Sequence, residues 1–285
     1  MPENHRFTSS LAVFFTGGLI TLAASLYHAN LNQEILLSEF ERDAKRIGIE
    51  IEDISRNYVA ELHSAKALLL SNLQDRPIDE VARAFSRYLL ERNVEDDFVG
   101  LYGIGLVERV AVGRESVFID AMSDHYNTPL TIQTLRSRPV ENADRWVVAT
   151  TYPPRIDSAL GVDLTSENKR YAAVMQTLAT QQRQTTGYLS LVTFDDVNEY
   201  GYLMLQPVIG RDGRIERMVY AVTTFRYTLE KLGSYMFRSQ EFLPLHINVF
   251  DRASHYCLAQ FRTDLGMQNC DIEDRFVDEA GDFQY

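Results

Sequence analysis

The residue types that usually carry catalysis form no catalytic pattern in this sequence. Its six histidines include no His-x-x-x-His pair, and none of them clusters with cysteine. No Gly-x-Ser-x-Gly motif occurs, so the nucleophile elbow of the α/β-hydrolases is missing. Kinase, phosphoacceptor and nucleotide-cyclase signatures are missing as well. We therefore predict that this segment is not an enzyme and has no catalytic residue, metal site or cofactor.

Two further patterns are better explained by structural roles than by nucleotide or cation binding. Gly103-x-Gly105 follows a predicted strand, but it lacks the third glycine and the helix that a dinucleotide-binding loop requires. Glycines that permit a bend or close packing are the better interpretation. Asp195 and Asp196 with Glu199 could hold a hard cation, although a solvated turn between two strands is favoured.

The only two cysteines, Cys257 and Cys270, flank a predicted turn. In an oxidising compartment they could form a disulfide, which for a loop of roughly 15 residues stabilises by up to about 3 kcal/mol. Two buried free thiols are the alternative. We predict the disulfide, because the apolar N-terminal segment favours a location outside the cytoplasm.

Asp163 is the carboxylate best placed for binding chemistry. It follows Gly161 and Val162 at the mouth of a predicted helix, after an apolar strand. A carboxylate in this place can cap backbone N–H groups or interact with the helix dipole. Thr165 and Ser166 are nearer to the predicted cap, however, which leaves Asp163 freer to face inward.

The first element along the chain is apolar. Residues 7–27 carry no charge and would reach about 30 Å as a helix, enough to cross the hydrocarbon core of a bilayer. A cleaved signal peptide has a shorter apolar region that ends at a small-x-small site, and a buried helix would be weakened by Gly17 and Gly18. We predict a cytoplasmic tail at 1–6, a membrane helix at 7–27 and residues 28–285 outside a cell inner membrane, periplasmic or extracellular.

The following segments predict helices. Between Leu36 and Leu69 apolar residues recur at spacings of three or four, the period of one long amphipathic helix. Residues 77–93 predict a second helix, with Pro77 in its first turn. We assign 28–95 to stalk helices. The apolar stripe could form the dimer contact of a signalling stalk or pack against the chain's own domain, and the pattern does not separate the two.

From residue 98 onward the sequence predicts an α+β fold. The predicted strands are rich in β-branched and aromatic residues and cover 98–110, 129–135, 145–152, 186–194, 200–208, 215–225, 243–251 and 255–261. Asp212-Gly213 predicts a tight hairpin. Helices are predicted over 166–183, capped by Thr165 or Ser166, and over 225–237. Antiparallel hairpins beside helices exclude a doubly wound parallel sheet.

Length and charge restrict the possible partners. The 285 residues suffice for one large domain or two small ones. A formal net charge of −12 argues against nucleic acid or anionic lipid surfaces as partners for the bulk of the chain.

Residues 98–232 resemble the CHASE domain, the extracytoplasmic sensor of many membrane-bound histidine kinases and nucleotide cyclases, including plant cytokinin receptors. The matching segments occur in the family's order: FVGLYGIGLVERV, YPPRIDSALGVDLTSENKRYAAVMQTLA, GYLMLQPVIGRDG and AVTTFRYTLEKL. Asp157 and Gln181 depart from the family's usual residues, so the identity of the ligand cannot be transferred.

The resemblance implies a long stalk helix followed by two PAS-like modules with antiparallel sheets. The membrane-distal sensor module would occupy 96–240 and the membrane-proximal module 241–285, which would be incomplete. The family also implies a homodimer, a second membrane span and a cytoplasmic effector, so the sequence is expected to be a fragment.

The resemblance further implies a small-molecule site. Asp163 matches the residue that accepts hydrogen bonds from the ligand in cytokinin-binding members, and Thr180 matches a position associated with ligand response. Apolar walls are expected from strands 186–194 and 200–208, through Leu191, Val192, Leu203 and Leu205. We predict a ligand-sensing input domain of a transmembrane receptor of the histidine kinase or diguanylate cyclase type. An extracytoplasmic binding or adaptor module that acts with a separate membrane protein is the alternative.

Overall fold

The computed structural model describes residues 4–93, 98, 101–135, 143–191, 200–236, 246–250, 257–262 and 266–268. Within these ranges some side chains are not described, among them those of residues 4–24. The chain divides into two compact units, residues 1–50 and residues 51–284.

The first unit is helical. Helix α1 (Asn4–Leu68) begins here, and the predicted membrane segment 7–27 lies wholly within it. Among the residues that the structure describes, no helix is both long and apolar enough to cross a membrane. Several apolar side chains of the following turns are exposed, namely Leu31, Ile35, Leu36 and Leu37.

The second unit opens with the predicted helices. After the end of α1 a π-helical turn covers Leu69–Leu73, and α2 (Ile78–Glu91) follows. The inner residues of α2 are fully buried and recur at helical spacing: Val81, Ala82, Phe85 and Leu89. Helices α1 and α2 confirm the predictions made from the apolar residues between Leu36 and Leu69 and from Pro77.

Three more α-helices of this unit lie within the described residues. Helix α3 (Glu115–Tyr126) was not expected from the sequence and buries Phe118 and Met122. Helix α4 (Asn168–Thr180) is shorter than predicted, and helix α5 (Phe225–Met236) agrees with the prediction. The cap expected at Thr165 or Ser166 was wrong. A 3₁₀ turn (Leu164–Ser166) intervenes, and the Glu167 side chain caps α4 by accepting from the backbone N–H groups of Lys169 and Arg170.

The main sheet confirms the α+β prediction. Its strands are β1 (Gly103–Val110), β2 (Gln133–Thr134), β3 (Arg145–Tyr152), β4 (Val162–Asp163), β5 (Gln184–Thr185), β6 (Leu189–Ser190), β7 (Tyr200–Ile209) and β8 (Ile215–Thr224). They lie in the order β2-β4-β3-β1-β8-β7-β5, with β6 also paired to β7. All pairs are antiparallel except β2 with β4. The tight turn at Asp212-Gly213 joins β7 to β8, and Gly213 has φ +79°, which favours glycine.

The main sheet buries a core on both faces. Val148 belongs to a cluster with Val174 of α4, whereas its neighbours Val147 and Ala149 belong to a cluster with Ala82 of α2. Successive side chains of a strand point to opposite faces, so these clusters define an α4 face and an α2 face. Away from the register shifts in β1 and at the β7–β8 turn, this alternation assigns the neighbouring strand residues to one face or the other.

A second sheet lies further along the chain. It consists of β9 (His246–Phe250), β10 (Cys257–Arg262) and β11 (Gly266–Gln268), all antiparallel. Gly233 of α5 lies against it, since a Cβ at this position would be 2.4 Å from the ring of Phe261. Strands β9 and β10 confirm the strands predicted over 243–251 and 255–261, β11 was not predicted, and the stretch from Phe276, also expected in this sheet, lies outside the described residues. The PAS-like character of this part stays a prediction.

Candidate functional site

A cavity of about 50 Å³ lies between the α4 face and the segments that cover it. The sheet supplies Val148, Leu203, Tyr220 and Val222 to its wall, while Ile156 and Ala159 come from a 3₁₀ helix (Pro154–Ala159). Arg170 is the one charged residue among the described residues that line it. We call this space the α4-side cavity.

The alternation of the strands explains why the wall is apolar. Leu203 and Leu205 are two residues apart on β7, so both face the α4 side, where both belong to the core cluster. Val222 and Tyr220 repeat this arrangement on the neighbouring strand. Aliphatic side chains on adjacent strands thus line the cavity, as expected for a small-molecule site with few polar groups.

Gly103-x-Gly105 serves packing around this cavity. A Cβ at Gly105 would be 2.0 Å from the Thr150 carbonyl oxygen and 2.5 Å from the Tyr220 ring. A Cβ at Gly103 would be 2.2 Å from Ile156. Both glycines therefore permit cavity-lining side chains to lie directly on β1, which confirms the close-packing interpretation of the motif.

Arg170 is nine-tenths buried at the start of α4. It lies on the inner face with Ala173, Val174 and Thr177, three, four and seven residues further on. Its Nη1 lies 3.3 Å from the Glu167 carboxylate, and its Nη2 donates to the Ser190 carbonyl oxygen at 3.2 Å. Burial lowers the pKa of the Arg170 guanidinium, and the ion pair with Glu167 opposes that shift.

The guanidinium of Arg170 is incompletely hydrogen-bonded. A guanidinium has five N–H donors, and the described part of the chain supplies acceptors for two of them. Both contacts exceed the 2.7–2.9 Å that is usual for charge-assisted bonds. The side chain therefore brings spare donors to the edge of a largely apolar space.

Asp163 is fully buried, but it does not line the α4-side cavity. Its Oδ1 accepts from the backbone N–H of Thr165 at 2.9 Å and from the Thr165 hydroxyl at 2.6 Å. Its Oδ2 accepts from Arg145 at 3.3 Å. Val162, its neighbour in β4, lines the cavity, and Asp163 pairs with Val147 of the α2-face cluster, so Asp163 points to the opposite face. The predicted ligand contact of Asp163 stays a prediction, and the geometry shows a carboxylate that holds a turn.

The other predicted site residues are placed differently. Leu191 and Leu203 line the α4-side cavity, whereas Leu205 is buried beside it in the core cluster. Thr180 is exposed at the last turn of α4 and donates to the Gln176 carbonyl oxygen. Val192 lies outside the described residues.

The structure describes only one of the two cysteines in the predicted disulfide. Cys257 in β10 is disulfide-bonded. Cys270 lies outside the described residues, so its pairing with Cys257 stays a prediction.

No group of three His, Cys, Asp or Glu side chains within the described ranges could hold a metal ion. Asp195, Asp196 and Glu199 lie outside those ranges.

The second buried arginine of the main sheet differs from Arg170. Arg217 of β8 lies on the α2 face, since its neighbour Met218 belongs to the α4-face cluster. It donates twice to the Glu108 carboxylate, at 2.7 and 3.2 Å, and to the backbone oxygens of Leu73, Gln74 and Arg76. All five donors of this guanidinium are used.

Comparison with known proteins gives one family match. The CHASE domain family matches residues 81–255, most of the chain. The chain belongs to the CHASE domain family. The resemblance expected from the sequence is thereby confirmed, and this CHASE domain is an extracellular sensor domain rather than a catalytic one.

Other comparisons add little to that assignment. Among solved structures, the chain resembles an extracellular ligand binding receptor from Desulfohalobium retbaense DSM5692, with 13% identity and a TM-score of 0.43. The match covers 73% of this chain and 28% of that receptor chain. No curated protein matches the sequence.

Proposed function

We propose that this CHASE domain binds a small molecule in the α4-side cavity and serves as the input domain of a transmembrane receptor of the histidine kinase or diguanylate cyclase type. The observation that carries the proposal is the cavity itself. Its wall is apolar except for Arg170 and tyrosine side chains, as is usual for ligand pockets. Leu191 and Leu203 provide the ligand contacts that the sequence predicted, and Asp163 supports the turn that carries Leu164.

The size of the cavity restricts the ligand. Pockets for drug-sized molecules usually measure about 300–1,000 Å³, whereas the α4-side cavity measures about 50 Å³. A ligand that fits the cavity in this form has only a few heavy atoms. The small volume therefore favours simple metabolites over adenine-type ligands.

The membrane and dimer assignments belong to the same proposal. Residues 7–27 anchor the chain in a cell inner membrane, with the sensor domain outside, and two copies associate through the stalk in parallel. The support is the uncharged segment together with the exposed apolar residues of α1, Leu31, Ile35, Leu36 and Leu37. A displacement of paired helices would then carry the signal across the bilayer.

A cavity-filling variant tests ligand binding. The wild-type chain is screened by thermal shift against a metabolite panel. A ligand at one hundred times its Kd stabilises by about 2.7 kcal/mol, or roughly 5–10 °C for a domain of 150–250 residues. Ala159→Leu places three further carbon atoms in the cavity and should abolish the shift. Ala111→Leu, at an exposed loop residue, is the matched control.

The two variants decide between the outcomes. The proposal requires that the shift disappears in Ala159→Leu and persists in Ala111→Leu, with both proteins folded by circular dichroism. A shift that persists in both variants places the ligand elsewhere, and the proposed site is then wrong. A panel without any stabilising compound, with both variants as stable as the wild type, also contradicts the proposal.

A further inference from the structure

The two buried arginines of the main sheet provide an internal comparison. Arg217 and Arg170 are 8% and 6% exposed, so both cations are removed from water. Within the described residues, Arg217 finds acceptors for all five of its N–H donors and Arg170 for two. The same side chain is therefore saturated on the α2 face and unsaturated on the α4 face.

A buried cation with unused donors is unfavourable unless something supplies the missing acceptors. Burial of a charge costs free energy that only pairing and hydrogen bonding recover. Glu167 recovers part of it, but its carboxylate also accepts from the N–H groups of Lys169 and Arg170. Its contact with the guanidinium is long, at 3.3 Å. The arrangement leaves room for a second acceptor on the cavity side.

The remaining wall determines what that acceptor can be. Val148, Leu203 and Val222 offer no hydrogen bond, and the Tyr220 hydroxyl contacts the Thr150 carbonyl oxygen at 3.4 Å. A phosphate or sulfate would have oxygens on every side, most of them against aliphatic carbon. A dicarboxylate would need a second cation, and Arg170 is the one charged residue among the described lining residues. A single carboxylate with a short hydrocarbon tail satisfies both parts of the wall.

The geometry points to a short aliphatic monocarboxylate as the ligand of the α4-side cavity, with its two oxygens on the spare donors of Arg170 and its tail against Val148, Leu203 and Val222. The inference rests on the proposed function and specifies the ligand class of the same site. A guanidinium and a carboxylate are both planar and can form two parallel hydrogen bonds, so an arginine is well suited to bind a carboxylate here. A volume of about 50 Å³ limits the tail to a few carbon atoms.

A ligand series tests the class directly. The purified full chain is titrated at pH 7 with acetate, propionate and butyrate, and in parallel with propionamide, propanol and succinate, at matched ionic strength. Binding is measured by thermal shift and calorimetry. We expect at least one monocarboxylate to bind at least tenfold more tightly than its amide, its alcohol and the dicarboxylate.

Three variants show whether Arg170 is responsible. Arg170→Met keeps the aliphatic stem and removes the charge, so carboxylate affinity should fall at least tenfold. Arg170→Lys keeps the charge without the planar fork, and affinity should be intermediate. Arg183→Met, at an exposed arginine shortly after α4, is the matched control and should bind as the wild type does.

Glu167→Gln gives an effect of opposite sign. The amide oxygen can still cap α4, but the negative charge that competes for the guanidinium is gone. Carboxylate affinity should therefore rise severalfold, which a merely structural role of Arg170 would not produce. This variant also keeps the test decisive if Arg170→Met fails to fold.

The outcomes separate this inference from the proposed function. Equal binding of a monocarboxylate and its amide, or carboxylate binding that is unchanged in Arg170→Met, overturns the ligand class. If only neutral compounds bind, and Ala159→Leu abolishes their binding, the sensor site stands and the carboxylate inference is wrong. If no compound binds and Ala159→Leu changes nothing, both are wrong.

Discussion

The two faces of the main sheet bury charge in different ways. On the α2 face, Arg217 connects Glu108 of β1 to the backbone carbonyls of Leu73, Gln74 and Arg76, which lie between α1 and α2. On the α4 face, Arg170 lies against a cavity, and three of its donors have no acceptor among the described residues. Saturated buried charges rigidify a fold, whereas an unsaturated one is costly unless a ligand completes it. The contrast distinguishes the α2 face from the α4 face, where we propose that the ligand binds.

The largest effect should come from Arg217→Met. The change leaves the Glu108 carboxylate buried without its cation and removes the Arg217 donors from the carbonyl oxygens of Leu73, Gln74 and Arg76. Breaking a buried ion pair in this way costs about 3–5 kcal/mol. Arg170→Met removes only two long contacts, so it should cost about 1 kcal/mol or less. Urea unfolding measures both losses.

Ligand binding should follow the reverse order. Under conditions in which it is folded, Arg217→Met should bind the carboxylate with wild-type affinity, whereas Arg170→Met should lose that affinity. Equal losses of stability in the two variants would mean that Arg170 is as structural as Arg217, and the contrast between the faces would disappear.

A smaller loss is expected at Asp163, a third buried charge, both of whose oxygens have hydrogen-bond partners. Asp163→Ala leaves the Thr165 N–H and hydroxyl without their acceptor and removes one of the two carboxylates that pair with Arg145, the other being Glu115. Hydrogen bonds to a charged group are worth about 1.5–3 kcal/mol, so the free energy of unfolding should fall by about that amount. Asp163→Asn keeps one acceptor oxygen and should cost less. Denaturant unfolding measures the stability of each variant, and carboxylate titration of the same samples measures its affinity.

Affinity decides between the two interpretations of Asp163. We expect carboxylate binding to stay within about twofold in both Asp163 variants, measured well below their Tm. If stability is instead retained and binding falls tenfold, Asp163 contacts the ligand, as the family resemblance predicted. The structural assignment would then be wrong.

The pH dependence of stability probes the ion pair on the α2 face. Burial raises the pKa of Glu108 from 4.5 to about 7, against the opposing effect of Arg217. Between these two values the folded protein binds more protons than the unfolded chain. The contribution of Glu108 to stability is therefore fully present below about pH 4.5 and is lost as the pH rises through 7.

Glu108→Gln isolates this contribution from other titrating groups. The difference in unfolding free energy between wild type and Glu108→Gln should change between pH 5 and pH 7, with the wild type losing stability relative to the variant. Urea unfolding at pH 5, 6, 7 and 8 provides the comparison. A difference that stays flat across this range would show that Arg217 keeps Glu108 ionised throughout.

Much of the fold followed from periodicity in the sequence. The apolar stripe between Leu36 and Leu69, the Asp212-Gly213 turn and the long strands 200–208 and 215–225 all predict elements that the structure contains. Helix α3 was missed because its apolar stripe, Phe118, Ile119, Met122 and Tyr126, covers little more than two turns, which is too short to indicate a helix. Local patterns are therefore informative in proportion to their length.

The candidate site was harder to predict because it depends on which face of a strand or helix each side chain points to. Leu191 and Leu203 were expected as walls, since apolar strand residues must face a core or cavity. Arg170 was missed because a charged residue in a helix usually faces solvent. Its spacing to Ala173, Val174 and Thr177 was the available signal, and it places Arg170 on the inner face.

Asp163 shows the same difficulty from the other side. Val162, its neighbour in β4, lines the cavity, and Asp163 pairs with Val147 of the α2-face cluster, which excludes Asp163 from the cavity. Strand β4 has only two residues, Val162–Asp163, and is too short to be recognised from the sequence. Without a known strand, the alternation that turns the carboxylate away could not be applied.

The smallest effect is expected at Thr180, at the other end of the helix that begins near Arg170. The two residues lie roughly 15 Å apart along α4, at 1.5 Å per residue. The Thr180 hydroxyl donates to the Gln176 carbonyl oxygen and accepts from the Gln184 side-chain amide, and all three side chains are exposed or near the surface. Exposed contacts of this kind contribute little, so Thr180→Val should change the free energy of unfolding by less than about 0.5 kcal/mol. Carboxylate affinity should stay within about twofold in the same titration that separates Arg170→Met from the wild type. A loss of affinity in Thr180→Val as large as that in Arg170→Met would extend the ligand site along the whole helix and remove the distinction between its two ends.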